Sequence, residues 1–444
     1  MSTLPATDHD LTSALAAPIE PHAKAWRLLA LGAASIALLL PLGATYVLTT
    51  GIGAWGDRSP TGWGFPIVNF VWWVGIGHAG TFLSAILLVA RQRWRSRVHR
   101  IAETMTVFAV VQAGIYPLLH LGRAWFLYWL LPYPATYEVW PQFGSALAWD
   151  VVAVLTYLTV SVIFWYVGLV PDLATRRDRT SSVRARTIYA LASFGWRGSA
   201  RHWSHVRAAR GVMAGLAAVL VISVHSIVSM DFASGVLPGW SSPIFPPYFV
   251  AGAIYSGIAM VVTIVVPLRA WLGIAHTLDD ALLERLAKLM LAMGLAVTHA
   301  YACEWWAALA AGDGPEREML FHVRPFGAHA PIYWVMIAGN VVAPQLLWFR
   351  RVRRSALALF GIAVMVDASM WAERLVLIVT SQEHDFLPSS FGEFLPSPID
   401  VAVLAGTIGF FALAMLVVLR VVPIAAISEL KEDRRAERDE AARA

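Results

Sequence analysis

One cysteine, Cys303, stands in 444 residues. That excludes an intrachain disulfide, a CxxCH haem attachment and a cysteine-ligated iron–sulfur cluster on this polypeptide. Charge is scarce too: 14 % of residues are charged against 58 % hydrophobic, and the mean hydropathy is +0.61. Soluble domains do not show that balance, so the chain reads as a polytopic membrane protein. GxGxxG, Walker A and HExxH are all missing, which leaves no nucleotide or zinc motif. The pI near 9.4 would suit nucleic acid, but the basic residues lie beside hydrophobic ends, where topology explains them without a nucleic-acid partner.

What is present is a series of ten apolar runs: residues 25–50, 65–90, 101–120, 145–170, 207–230, 247–272, 286–310, 330–349, 355–381 and 398–422. Each reaches or approaches the ~20 residues that a helix needs to cross hydrocarbon with its backbone satisfied internally. The first 24 residues are polar and the first run is long enough to span, so a retained helix rather than a cleaved signal is expected. Of the 34 Lys and Arg, 29 fall in the N-terminal segment, the even-numbered connections, the C-terminal tail or the run ends that border them, 4 in the odd-numbered connections, and one, Arg374, deep inside a run. The positive-inside rule then puts both termini in the cytoplasm.

The expected fold is all-α: ten transmembrane helices, with runs two to five and six to nine forming two four-helix bundles and the first and tenth flanking them. The corresponding segments are a cytoplasmic 1–24, a first helix in 25–60, a first bundle in 61–232 with a basic insert at 171–206, a second bundle in 233–385, an outer loop and tenth helix in 386–424, and a charged tail in 425–444. Within the insert, TIYALASFGWRGSARHW from Thr187 mixes Ile188, Leu191, Phe194 and Trp196 with arginines, which suits a helix lying on an anionic membrane surface. The tail ELKEDRRAERDEAARA reads as a solvated end.

Chemistry is concentrated between Val110 and Asp150. An apolar helix there ends in Pro117, His120 and Arg123, an aromatic loop follows, and a second apolar helix carries Asp150 near its start. His120 and Asp150 thus fall at the same end of two neighbouring spans. The loop holds Trp125, Phe126, Tyr128, Trp129, Tyr133, Tyr137, Trp140 and Phe143, more rings than interfacial anchoring needs, so a lid or a docking face is expected as readily as a belt. Arg123 fits an interfacial, snorkelling arginine. In WWVGIGHAGTFLSAIL the pairs Gly75/Ala79, Gly77/Thr81 and Gly80/Ser84 make a smooth stripe for close helix approach, with His78 in its middle. His225 and Asp231, His299 and Glu304, and Asp367, Glu373 and Arg374 add titratable groups to further spans. Singly, each fits a bond to a neighbouring helix or a proton relay; together they exceed what a structural bundle carries.

Such a set suits quinol oxidation, in which two hydroxyls lose protons to bases such as His120 and Asp150 while two electrons leave to another subunit. A single b haem and a transporter are the competing readings. No span places two histidines about two helical cycles apart for stacked haems, and the polar groups gather toward one face rather than at mid-membrane breaks.

The stretches FVWWVGIGHAGTFLSAILL, PLLHLGRAWF, GWRGSARHW, SVHSIVSMDFA, NVVAPQLLWF and MWAERLVLIVTS resemble the NrfD-type (polysulfide-reductase) membrane subunit of bacterial alternative complex III, the ActC type. The resemblance implies a bacterial inner-membrane subunit that oxidises menaquinol or ubiquinol and has no haem, iron–sulfur cluster or metal of its own. It implies c-type cytochrome subunits, a periplasmic iron–sulfur subunit, a paralogous NrfD-like membrane subunit and a terminal oxidase as partners. His120 and Asp150 match the site histidine and aspartate. The candidate quinol-binding residues around them are His78, Gly80, Thr81, Arg123 and Trp125; a proton path is expected through His225, Asp231, Glu304, Glu373 and Arg374.

Overall fold

The structure, a computed structural model, describes residues 7–16, 22–130 and 144–443. Ten long helices order these residues: α1 Ala23–Thr50, α2 Phe65–Val89, α3 His99–His120, α4 Ala146–Arg179, α5 Ala200–Ala233, α6 Phe245–Leu272, α7 Asp280–Ala311, α8 Ala330–Trp348, α9 Ala356–Glu383 and α10 Pro398–Val421. Nine of them, all but α9, are long and apolar enough to cross a membrane, against the ten spans expected. The difference falls on α9, whose 28 residues have the length to cross but carry Asp367, Glu373, Arg374 and Glu383, all buried. The chain is a multi-pass, all-helical membrane protein. Apolar side chains face outward where only lipid can satisfy them, as with Leu28 and Leu42 of α1.

Helix α2 lies at the centre. Every residue from Phe65 to Thr81 is buried, which an all-round apolar helix requires. It packs on α3, α6 and α9; α4 packs on α3 and α5; α6 also meets α5, α7 and α9; α8 lies on α9, and α10 pairs with α1. The small residues permit the crossings. A Cβ at Gly80 would collide with the Ala102 carbonyl and the Thr106 hydroxyl of α3, and one at Gly257 of α6 with Ala79 and Ile76 of α2. A π-turn over Phe82–Ile86 in α2 and another over Ala338–Val342 in α8 redirect side chains locally.

Ion pairs tie up the basic end, where α3 begins. Arg100 of α3 binds Asp172 of α4 at 2.7 Å, and Arg210 of α5 binds Glu103 of α3 at 2.9 Å. The closing acid comes from the tail. A last helix, α11 Ile427–Arg443, brings Glu429 onto Arg210, onto Arg95 at 2.5 Å, and within 3.6 Å of His99. Burial pushes the Glu429 carboxyl up, but Arg210, His99, Arg95 and Arg100 outweigh that and hold it well below the usual carboxylate range. The start of the tail is therefore docked and not the solvated end that its charge suggested. Ile424, Ala425, Ala426, Ile427 and Leu430 are buried around Glu429, and only the later turns read as a solvated helix.

Candidate functional site

At the other end of α3, the connection between α1 and α2 is pinned from both sides. The Gly56 and Ser397 N–H groups donate to Asp400 Oδ2 of α10 at 2.8 and 2.7 Å, while the Gly62 and Trp63 N–H groups donate to Gln382 Oε1 of α9 at 3.0 Å each. This clamp fixes Asp57, whose Oδ2 lies 3.8 Å from Nδ1 of His120, with the two side chains 6 % and 17 % exposed. Burial, and then the charge of Asp400, raise the Asp57 carboxyl to about 7, against a smaller lowering by the Gly64 backbone. A carboxyl so placed exchanges its proton near neutral pH. Pro117 does not end α3; the helix runs through it to His120, and the Leu121 N–H donates to the Pro117 carbonyl at 3.3 Å.

Asp150, one turn into α4, is 5 % exposed, and the charged group it faces is Asp231 near the end of α5. Neither of its oxygens has a hydrogen-bond partner of good geometry among the described residues, nor does either oxygen of Asp57 or Nδ1 of His120. Buried polar atoms in proteins nearly always find a partner. Five orphaned atoms at one end of the α3–α4–α5 group are therefore an arrangement that accepts or donates to something else.

Deeper in, His78 of α2 and His225 of α5 meet edge to face with ring centroids 4.7 Å apart. His78 bonds the Val74 carbonyl through Nδ1 at 2.5 Å and stacks on Tyr157 of α4 at 4.9 Å, leaving Nε2 orphaned; neither nitrogen of His225 has a partner among the described residues. His225 and Asp231, six residues apart, point to different sides of α5, so one faces α2 and the other α4. Beyond His225, the Arg374 guanidinium lies 4.1 Å from the centroid of Phe249 and pairs with Glu373 at 3.0 Å. The π-turn of α8 aims Asn340 inward, so that its amide donates to the Tyr301 hydroxyl at 2.9 Å and to Glu373 at 3.2 Å; Tyr301 in turn donates to Glu373. Glu304 pairs with Arg324 at 2.9 Å and shares a crevice with Glu373, Tyr301 and Tyr248. Polar groups thus run from α2 through α5 and α9 to α7.

The family pattern described as Polysulphide reductase, NrfD, matches residues 54–384, three quarters of the chain. The chain belongs to the NrfD polysulphide reductase family. This NrfD chain is 24 % identical to a putative dimethyl sulfoxide reductase membrane subunit of Halobacterium salinarum, over 89 % of its own length and 91 % of the relative's. It is 22 % identical to a selenate reductase subunit of Mesobacillus selenatarsenatis, over 82 % of its own length and 87 % of the relative's. Both relatives are named as subunits of reductases.

In this NrfD chain the structure sorts the residues singled out from sequence. His120 and Asp150 make no bond to each other; each has a different acid beside it, Asp57 and Asp231. His78, His225, Glu373 and Arg374 fall in one row, with Glu304 at its far end, while Asp231 belongs with Asp150. Gly80 is taken up by the α2–α3 crossing, and the Thr81 hydroxyl by Tyr157 at 2.6 Å. Arg123 and Trp125 are exposed beyond the end of α3, and four of the eight loop rings, Tyr133, Tyr137, Trp140 and Phe143, lie outside the described residues. Glu373 and Arg374 do pair, although neighbours on a helix point about 100° apart; their long side chains bridge that angle. Residues that sequence reasoning missed are Asp57, Tyr157, Tyr301, Asn340 and Arg324. Asp57 sits in GIGAWGDRSPTGWG, where a carboxylate reads as solvated, and the tyrosines and Asn340 read as neutral packing.

Proposed function

We propose that this chain is the quinol-oxidising membrane subunit of an oxidoreductase complex. The observation that carries the reading is the set of orphaned, buried proton-exchanging groups at one membrane end, Asp57 with His120 and Asp150 beside Asp231. A quinol entering there gives up two protons and two electrons. His120, backed by Asp57, and Asp150, backed by Asp231, are the two proton acceptors. The row from His78 and His225 to Arg374, Glu373 and Glu304 offers protons an onward route. The electrons pass to an iron–sulfur partner docked on the same end. The alternating basic connections support a bacterial inner-membrane orientation with this end periplasmic and both termini cytoplasmic.

The match of His120, within PLLHLGRAWF, and of Asp150 to the site residues of the ActC type favours an alternative complex III, with c-type cytochromes, a paralogous membrane subunit and a terminal oxidase downstream. The names of the relatives favour a second setting, a terminal reductase fed by the same quinol chemistry. Quinol-dependent acceptor reduction by the assembled complex tests the shared reading. Asp150→Asn is expected to lower turnover by about 10²–10⁴, the usual contribution of a positioned base, and wild-type turnover in that variant sinks it. Covalent haem in the purified complex supports alternative complex III; activity toward dimethyl sulfoxide or selenate supports the second setting.

A further inference from the structure

The basic end carries a second polar pocket, remote from the row described above. It lies where α4, the insert after it and the start of α11 meet, and is a cleft of about 270 Å³ open to solvent. Its acids are already committed: Asp172 to Arg100 at 2.7 Å, and Asp178 to Arg177 at 2.7 and 3.1 Å. Arg177 is also used structurally, donating to the Trp196 carbonyl at 3.0 Å. Two lining cations, Arg197 and Lys431, have no acid partner among the described residues, and two lining indoles, Trp196 and Trp203, pack edge to face at 4.9 Å. The pocket therefore presents uncompensated positive charge beside two rings that each carry an N–H.

An independent observation fixes its depth. The short helix Val183–Ala192 and the turn after it expose Ile188, Leu191 and Phe194, at 64 %, 74 % and 78 %. Phe194 is held outward in the left-handed region, at φ 46°, a conformation uncommon for a bulky residue. Three large apolar side chains kept in the open beside a belt of arginines mark a segment lying in a membrane surface. The pocket is thus level with lipid headgroups. We propose that it is a binding site for the phosphate of an anionic membrane lipid, with Arg197 and Lys431 pairing with the phosphate and Trp196 and Trp203 packing against the glycerol region.

Native mass spectrometry of the intact purified chain, with phosphatidylglycerol, cardiolipin or phosphatidylcholine added, tests the site. The wild type is expected to retain one anionic lipid in preference to phosphatidylcholine, and the Arg197→Gln/Lys431→Gln double variant to bind it about 30-fold more weakly. Both positions are at least partly exposed, and an unchanged melting temperature without lipid checks that the variant folds. Arg184→Gln/Arg201→Gln, which removes exposed charges outside the pocket, is expected to bind like the wild type. Equal loss in both double variants, or equal retention of phosphatidylcholine, overturns the proposal. So does complete displacement of the lipid by millimolar inorganic phosphate, which would assign the pocket to a free anion.

Discussion

Replacing Asp57 by asparagine gives the sharpest test of how the clamped connection works. Asp57 is raised from an ordinary 3.8 to about 7 by burial and by Asp400. The folded protein therefore holds that proton more tightly than the unfolded chain, and the associated stability is fully present below pH 3.8 and lost as pH rises through 7. At 1.36 kcal/mol per tenfold change in proton affinity, carrying the charge costs the folded state about 4 kcal/mol above pH 7, of which about 3 kcal/mol accrues between pH 5 and pH 8. The amide of the variant cannot titrate. All other groups are shared by the two proteins and cancel in the difference, so Asp57→Asn is expected to gain stability relative to wild type as pH rises, by several degrees in melting temperature between pH 5 and pH 8. Thermal unfolding in detergent at four pH values measures it. A difference that stays constant over that range refutes the burial argument. In the assembled complex the same variant is expected to flatten the pH profile of quinol oxidation near 7.

Two further perturbations follow from the packing. Glu429→Gln leaves the arginines around it undercompensated; with the Glu429 side chain 23 % exposed, a loss of about 3 kcal/mol is expected, at the low end for breaking a buried pair. Chemical or thermal denaturation reads it, and a neutral result shows that water already screens the cluster. Gly80→Leu drives a side chain into the Ala102 carbonyl and Thr106, so about 1–3 kcal/mol or more of destabilisation is expected. Wild-type expression and melting temperature would mean that α2 and α3 can separate without cost.

The membrane class, the order of the helices and the placement of His120, Asp150, His78 and Arg374 as ionisable groups in apolar helices were legible in the sequence, because each rests on a local fact: an apolar run or an ionisable residue inside one. Pairings were not, since they depend on which helices touch. His120 and Asp150 fall together along the chain, yet their acid neighbours come from the α1–α2 connection and from α5. Asp57 and Glu429 were hidden for one reason: each lies in a polar stretch whose composition promises water. Burial of such a residue is decided by distant segments, here the clamp from Gln382 and Asp400 and the arginines of α3 and α5.

The docked tail also bears on biosynthesis. Arg95, Arg100 and Arg210 are matched by Glu103, Asp172 and Glu429, so five of the six charges are in place once α5 has been made, and the last is supplied more than two hundred residues after Arg210. Until the ribosome passes residue 429 the early helices hold one surplus cation in a poorly hydrated setting. A nascent or truncated chain that lacks Glu429 therefore leaves Arg95 and Arg210 without the carboxylate that they share in the finished protein. Fusion partners appended after Ala444 leave that last charge in place, whereas trimming the tail back past Glu429 removes it.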